Sequence, residues 1–502
     1  MTDDKPKKIP TMSIHLGESS GPYVLALDVG STASRGGLYD VTGCPVKGSK
    51  QRISHEFTTA QDGTSEIDPD QVAEECREIV SAIVDFAAEN ALQIKGVCFD
   101  SFASSFLLVD DSGAALTSCA TYADSRCAPY VAEVESLIDP DAYHQRTGVR
   151  VHTSYQPARF LWAQSDFPEK WDAAAKVMTI GEYVYLKLAD IEGLAVSTGA
   201  WCGIVNAHTG ELDGEVLEAC NVPESMIAPL HFPDEPAYPA QTEWEALNGV
   251  PWFHGIPDGW PSNVGPGAID PTTIAVAAAT SGAMRVILPE APETIPSGLW
   301  CYRVARDQVI LGGALNDVGR AVSWLERVVT PVDSGELAEV LAGATSEHAP
   351  VVLPFFSGER ATGWAADAKA SLVGITDDTT PLDLWRGLIE GLAVSYERVY
   401  EQLDLAGAQP ERIIASGRVT TDHPQWLNVL ADALGCEVIP LAMKRATLRG
   451  TALITLDVIA PGIQRATPPF GEPMTPNPAH ADYFDRLRTR FDELYSELVA
   501  AN

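Results

Sequence analysis

Apolar residues along the chain switch between two spacings. An apolar run at 24–27 ends on Asp28, and apolar residues resume at 37–39 after Gly30-Ser31-Thr32. That pattern predicts two strands joined by a tight, hydroxyl-rich turn. From 68 to 90 the spacing becomes helical, with Val72, Cys76, Ile79, Val80 and Ile83 on one face and Asp68 or Asp70 placed to cap it. Strands are predicted at 95–99 and 106–109, with a turn at 110–113. The grammar then returns. Strands at 273–278 and 283–288 flank Thr280-Ser281-Gly282, and a long helix over 381–403 carries Trp385, Leu388, Ile389, Leu392, Tyr396, Val399 and Leu403 as its stripe. Thr380 and Pro381 suit its N-cap and first turn. A strand at 412–415 and a helix at 424–434, stopped by Gly435, complete the reading.

Two halves with the same order of hairpin, glycine-hydroxyl turn and helices predict two related α/β domains facing each other. The length of 502 residues agrees, being too great for one ordinary core. The Pro/Gly-rich stretch 255–271 reads as neither helix nor strand and is the expected hinge. The expected organisation is a loose, disordered tail at 1–21, a first domain at 22–265 and a second at 266–502.

Charge and cysteines narrow the function. A formal charge of −35 argues against nucleic-acid partners, because phosphate backbones call for Lys and Arg. The nine cysteines are scattered and form no CxxC pair, so neither zinc nor a disulfide framework is expected and a cytoplasmic location is the simpler reading. No leader opens the chain, and no apolar run is long enough to span a membrane. The histidines other than His152 are dispersed without metal-ligand spacing and receive no role.

The two turns carry the candidate chemistry. Backbone N–H groups of Gly30, Ser31 and Thr32 with their hydroxyls can cradle phosphate oxygens, and Asp28 at the strand end can hold Mg²⁺ directly or through water. An ordinary β-turn capped by Asp28 accounts for the same residues. Thr280, Ser281 and Gly282 offer a second such turn, so that opposed domains could clamp one nucleotide from two sides.

In order along the chain, the DVGST stretch with Arg35, YADSR (122–126), PDGWPSNVG (257–265), ATSGAMR (279–285), SGERATGW (357–364) and SGRVT (416–420) resemble the FGGY carbohydrate kinases. The gluconate-kinase-like branch is the most similar in the stretches 148–162 and 181–188. The resemblance implies two ribonuclease-H-like, actin-like ATPase domains with a central cleft. It also implies transfer of the γ-phosphate of ATP, with Mg²⁺, to a sugar, polyol or sugar acid, gluconate-like acceptors being favoured over ketopentoses and polyols.

By that resemblance Asp258 is the catalytic base, and Ser104, Asp124, Arg126, His152 and Asp258 line the acceptor, with Arg159 near it. Gly30, Ser31, Thr32, Arg35, Thr280, Ser281, Gly282, Gly319, Gly417 and Arg418 bind the nucleotide, and Asp28 the metal. Glu359 and Arg360 are expected to brace the domain interface. The expected partner is a small-molecule sugar or sugar acid, with a homodimer left open. Several positions depart from the family pattern. Ser104 stands at a usual histidine, Ala279, Val318 and Arg418 at usual glycines, and Arg445 at a usual glutamate. The alternative reading is a weakened member of the family that binds a ligand or regulates.

Overall fold

The computed structural model describes residues 12–343, 346 and 348–500. Contacts divide the chain into two units. The first holds residues up to Gly267 together with Cys301–Val309 and Met443–Pro468; the second holds Ala268–Trp300, Ile310–Ala442 and the chain from Pro469 on. The division falls close to the expected boundary, but two later segments return to the first unit. Linear reading cannot foresee such returns, since they follow from which faces need covering.

The first unit is built on a five-stranded sheet of β1 (Tyr23–Val29), β2 (Ala33–Tyr39), β3 (Gln51–Ser54), β4 (Ile94–Ser101) and β5 (Ile256–Pro257), in the order β5-β4-β1-β2-β3. β1 and β2 form the predicted antiparallel hairpin, and β4 lies parallel on the other side of β1. One face is apolar: Leu25, Leu27 and Val29 pack with Val72, Cys76, Ile79 and Ile83 of α1 (Pro69–Glu89). Asp68 caps α1 by accepting from the Asp70 and Gln71 N–H groups. The Ala446–Ile459 helix packs on β1 and β4.

Two expectations are corrected here. Residues 12–21 of the presumed tail include a 3₁₀ turn at Leu16–Glu18, and Ile14 bonds to Pro45 and Lys47 through its backbone; residues 1–11 lie outside the described residues. The supposed hinge 255–271 contains β5 and a short helix, Pro261–Val264. Pro257 is tolerated because β5 is an edge strand, and Pro261 because its missing N–H falls in the first helical turn.

The second unit repeats the hairpin. β6 (Thr273–Ala278) pairs antiparallel with β7 (Gly282–Leu288) and parallel with β9 (Arg412–Ser416), while β8 (Gln308–Leu315) and β10 (Val438–Pro440) lie beyond β7 and β9. α2 (Gly319–Val328) follows β8, and α3 (Pro381–Leu405) starts with a complete capping box between Thr380 and Asp383. The Trp426–Leu434 helix ends at Gly435, in the left-handed conformation that glycine adopts without strain. Among the described residues, no helix is long and apolar enough to cross a membrane, and all nine cysteines are free and buried.

Candidate functional site

Three neighbouring strand ends of the first unit each deliver an aspartate. Asp28 of β1 lies opposite Asp100 of β4, and Ile256 of β5 lies on the other side of Asp100. Two residues further on, the Asp258 N–H donates to the Ser101 carbonyl at 2.9 Å. Parallel strands bring such ends together at one edge of a sheet, where α/β proteins place their chemistry.

The three carboxylates differ in environment. Asp28 accepts from Arg35 Nη1 at 2.9 Å, yet burial outweighs that guanidinium and pushes its carboxyl above the usual range. Asp100 is 0% exposed; the Thr451 hydroxyl donates to one of its oxygens, and among the described residues no donor reaches the buried Oδ1. Burial, with the charges of Asp28 and Asp258 beside it, holds Asp100 well above an ordinary carboxylate. Asp258 is half-buried. Asp100 escaped the sequence reading because the predicted strand stopped at 99. The signal was present all the same, since β4, like β1, is a buried strand ending on an aspartate.

The turn after β1 leaves Ser31 and Thr32 exposed, with the Gly30 N–H bonded to the Ala33 carbonyl at 3.1 Å. Arg35 reaches Thr32 as well as Asp28. A buried relay that the sequence did not suggest fixes this turn from behind. His55 Nε2 donates to the Gly30 carbonyl at 2.8 Å, and His55 Nδ1 donates to Glu75 Oε2 at 2.8 Å. Ser34 and Gln71 also donate to Glu75. A ring that donates from both nitrogens is an imidazolium. Burial opposes that charge, but the bonds to Glu75 and Gly30 win, and the His55 pKa lies above its ordinary value.

In the second unit the turn after β6 sits against two helix starts. The Gly319 N–H donates to the Ala279 carbonyl at 2.7 Å, and the Val318 and Arg320 N–H groups donate to Thr280. A Cβ on Gly319 would lie 2.4 Å from that carbonyl oxygen. One on Gly417, whose φ is +109°, would lie 2.3 Å from the Ala278 carbonyl oxygen. Thr280, Ser281, Gly282, Gly319 and Gly417 are thus gathered in one place, with backbone approaches that only glycine allows. Arg418 is turned to Ser323 Oγ at 3.3 Å and to Asp422 at 3.4 Å, its side chain 64% exposed.

Gly417→Ala is expected to weaken ATP binding at least about tenfold, because backbone strain of about 1–3 kcal/mol must be relieved by moving the turn. Calorimetric titration with ATP checks it, and unchanged affinity would show that this turn does not meet the nucleotide.

The acceptor-side residues are less concentrated than expected. Ser104, at φ +55°, spends its hydroxyl on the Trp201 carbonyl at 2.7 Å. Arg159, 1% exposed, donates to the carbonyls of Ser104, Thr121 and Thr153, which makes it a structural tie. Asp124 accepts from the Ser65 N–H and from Arg126. Arg126 also pairs with Glu66 at 2.8 Å and lies over the Trp162 ring at 4.8 Å. It lines a cavity of about 210 Å³ that Asp28, Ser104 and Asp258 do not line. His152 bonds to Ser154.

The wall next to Asp258 is aromatic instead. Trp201 stacks on Tyr302 with centroids 3.8 Å apart, and a Cβ on Gly259 would come within 2.9 Å of the Trp201 ring. No local pattern marks these residues, which come from distant parts of the sequence. Glu359 is tied within the second unit to Arg398 at 2.7 Å, to the Thr362 N–H and to Tyr495.

Comparison with known proteins bears on this arrangement. The model of the FGGY family of carbohydrate kinases, N-terminal domain, matches residues 23–265, and that of the C-terminal domain matches residues 275–456. The chain is 25% identical over 452 residues to a gluconokinase of Bacillus licheniformis, covering 86% of this chain and 87% of that protein. A glycerol kinase of Leptothrix cholodnii is 23% identical over 455 residues, covering 86% and 90%. Among solved structures, the gluconate kinase from Lactobacillus acidophilus superposes with a TM-score of 0.85 at 22% identity, covering 95% of this chain and 98% of that one. The ligand-bound xylulose kinase from Lactobacillus acidophilus reaches 0.86 at 24% identity, covering the same shares. With both family domains matched in order along the chain, the protein belongs to the FGGY family of carbohydrate kinases and is an ATP-dependent phosphotransferase.

Proposed function

We propose that the protein phosphorylates a hydroxyl of a gluconate-like sugar acid, with Mg²⁺ as the metal and Asp258 as the general base. The observation that carries the reading is the row of strand-end aspartates Asp28, Asp100 and Asp258 beside the turn of Gly30 to Thr32. Similarity to gluconokinases favours the sugar acid. Among the described residues no group of three or more His, Cys, Asp or Glu surrounds a metal position. Mg²⁺ does not need one, since it is commonly held by one or two carboxylates with water and phosphate oxygens completing its shell. Asp28, next to the donor-less oxygen of Asp100, suits that requirement.

When bound, ATP supplies the phosphoryl group and Mg²⁺ neutralises its charge. In the first unit the Gly30 to Thr32 turn and Arg35 would hold phosphate oxygens; in the second unit, taken by itself, Thr280 to Gly282, Gly319 and Gly417 would offer backbone donors to a nucleotide. Asp258 orients the acceptor hydroxyl and takes its proton, while Trp201 and Tyr302 offer the sugar an apolar face and exclude water. The setting is cytoplasmic, in keeping with the free cysteines.

A coupled ADP-release assay with gluconate, related sugar acids, xylulose and glycerol tests the acceptor. Gluconate or another sugar acid is expected to give a kcat/KM at least about tenfold above the ketopentose and the triol. A clear preference for xylulose or glycerol would replace the sugar-acid assignment.

A further inference from the structure

In a chain with 34 basic and 69 acidic residues, cations are expected to find acidic partners. One small cleft of the first unit does the opposite. Arg35, Lys50, Lys444, Arg445 and Arg449 line it together with Tyr39, and no Asp or Glu does. Among the described residues Lys50 and Lys444 make no ion pair with an acidic side chain, while the charge of Arg445 reaches Asp28 and favours its carboxylate. Arg35 is paired, to Asp28. Arg449 is 2% exposed; its two Nη groups donate to the carbonyls of Gly265 and Ala466, and its buried Nε–H has no acceptor among the described residues.

The backbone points the same way. Arg445 is the N-cap of the Ala446–Ile459 helix, held at φ +62° with no side chain capping it, so the free N–H groups of that 14-residue helix open beside these cations. Asp28 offsets part of this clustering, through Arg35 and the nearby charge of Arg445, and leaves the lysines without a counter-charge of their own. Burial and the neighbouring Arg445 already depress the Lys50 pKa.

We propose that this cleft is a binding site for a phosphate group. A tetrahedral dianion matches guanidinium forks, ammonium donors and a helix N-terminus better than a halide or a carboxylate does. The cleft interior offers only about 10 Å³, one water's worth of space. The phosphate therefore docks at the mouth, where Lys444 and Arg445 are exposed, and the buried Nε–H of Arg449 is within reach only of a water behind it. Arg35 connects the site to Asp28, so an anion here competes for the guanidinium that Asp28 now holds. The site stands on this geometry whether or not the acceptor is a sugar acid.

The test is calorimetric titration of the full chain with inorganic phosphate and, separately, with ADP. Lys50→Gln and Arg445→Asn remove the cations, asparagine being chosen because it tolerates the left-handed backbone at 445. Each is expected to lower phosphate affinity about tenfold or more, the loss of a charge-assisted contact. Arg490→Gln, an exposed cation of the second unit, should leave it unchanged. If ADP affinity falls in the same variants and phosphate competes with ADP, these cations belong to the nucleotide site already described and the proposal of a separate site falls. If ADP affinity holds while phosphate binding is lost, the site takes free phosphate or a phosphorylated sugar. Folded variants that bind both ligands as the wild type does would overturn the proposal. So would an equal loss in Arg490→Gln, which would make the effect one of net charge.

Discussion

Replacing Asp258 with asparagine is expected to lower turnover by about two to four orders of magnitude while ATP affinity stays near the wild-type value. The amide keeps the shape of the side chain, so the backbone bond from 258 to the Ser101 carbonyl and the neighbouring aromatic wall have no reason to move. What is lost is the ability to accept a proton. Neither neighbouring carboxylate can take over. Asp100 is fully buried and already accepts from Thr451, and Asp28 is held by Arg35. Steady-state ADP release, read beside a calorimetric ATP titration, separates the two effects. A variant that turns over at the wild-type rate would show that 258 is only a turn residue. One that loses ATP binding instead would move its role from chemistry to binding.

His55→Leu should cost about 3–5 kcal/mol of stability, the usual penalty for leaving one member of a buried ion pair alone. His55 and Glu75 have side-chain exposures of 0% and 8%, so solvent does little to soften the loss. The pH dependence identifies the cause. The His55 pKa is raised, so its contribution is complete below the ordinary histidine value of 6.5 and fades as pH rises through the raised value. Burial pushes the Glu75 carboxyl up, but the donors His55, Ser34 and Gln71 bring it below its ordinary 4.5. Its contribution is therefore complete above that value and fades as pH falls through the lowered one. The gap between wild type and variant should be widest between these limits and should close on the alkaline side. Urea unfolding at several pH values measures it, and a gap that does not change with pH would reduce His55 to a packing residue. The double variant His55→Leu/Glu75→Leu should recover part of the loss, because no unpaired charge remains.

Both predictions rest on residues that the sequence disclosed to different degrees. Asp258 lies in a continuous motif, PDGWPSNVG, and could be assigned by resemblance. His55 could not, because what makes it important is a carbonyl 25 residues before it and a carboxylate 20 residues after it. The same contrast appears at the acceptor side. YADSR drew attention to Asp124 and Arg126, but the fold turns Arg126 toward Glu66 and Trp162. The wall beside Asp258 comes from Trp201 and Tyr302, which carry no motif. The odd arginines also separate. Arg418 pairs with Asp422 in the second unit, whereas Arg445 belongs to the cation cleft of the first.

The sequence alone determined what depends on short-range physics. It showed the two hairpins, the caps at Asp68 and Thr380, the stop at Gly435 and the glycine-hydroxyl turns, because strand alternation, helical spacing and turn chemistry act over a few residues. Family motifs added the kinase chemistry and singled out Asp258 as the proposed base. Only the tertiary structure decided the rest. Parallel pairing of β1, β4 and β5 set Asp28, Asp100 and Asp258 side by side, across gaps of 72 and 158 residues. The return of Met443–Pro468 to the first unit brought Thr451 to Asp100 and Arg445 to Lys50. Such neighbours are chosen by which faces must be buried together, and that choice is made by the whole chain at once, so no local stretch records it.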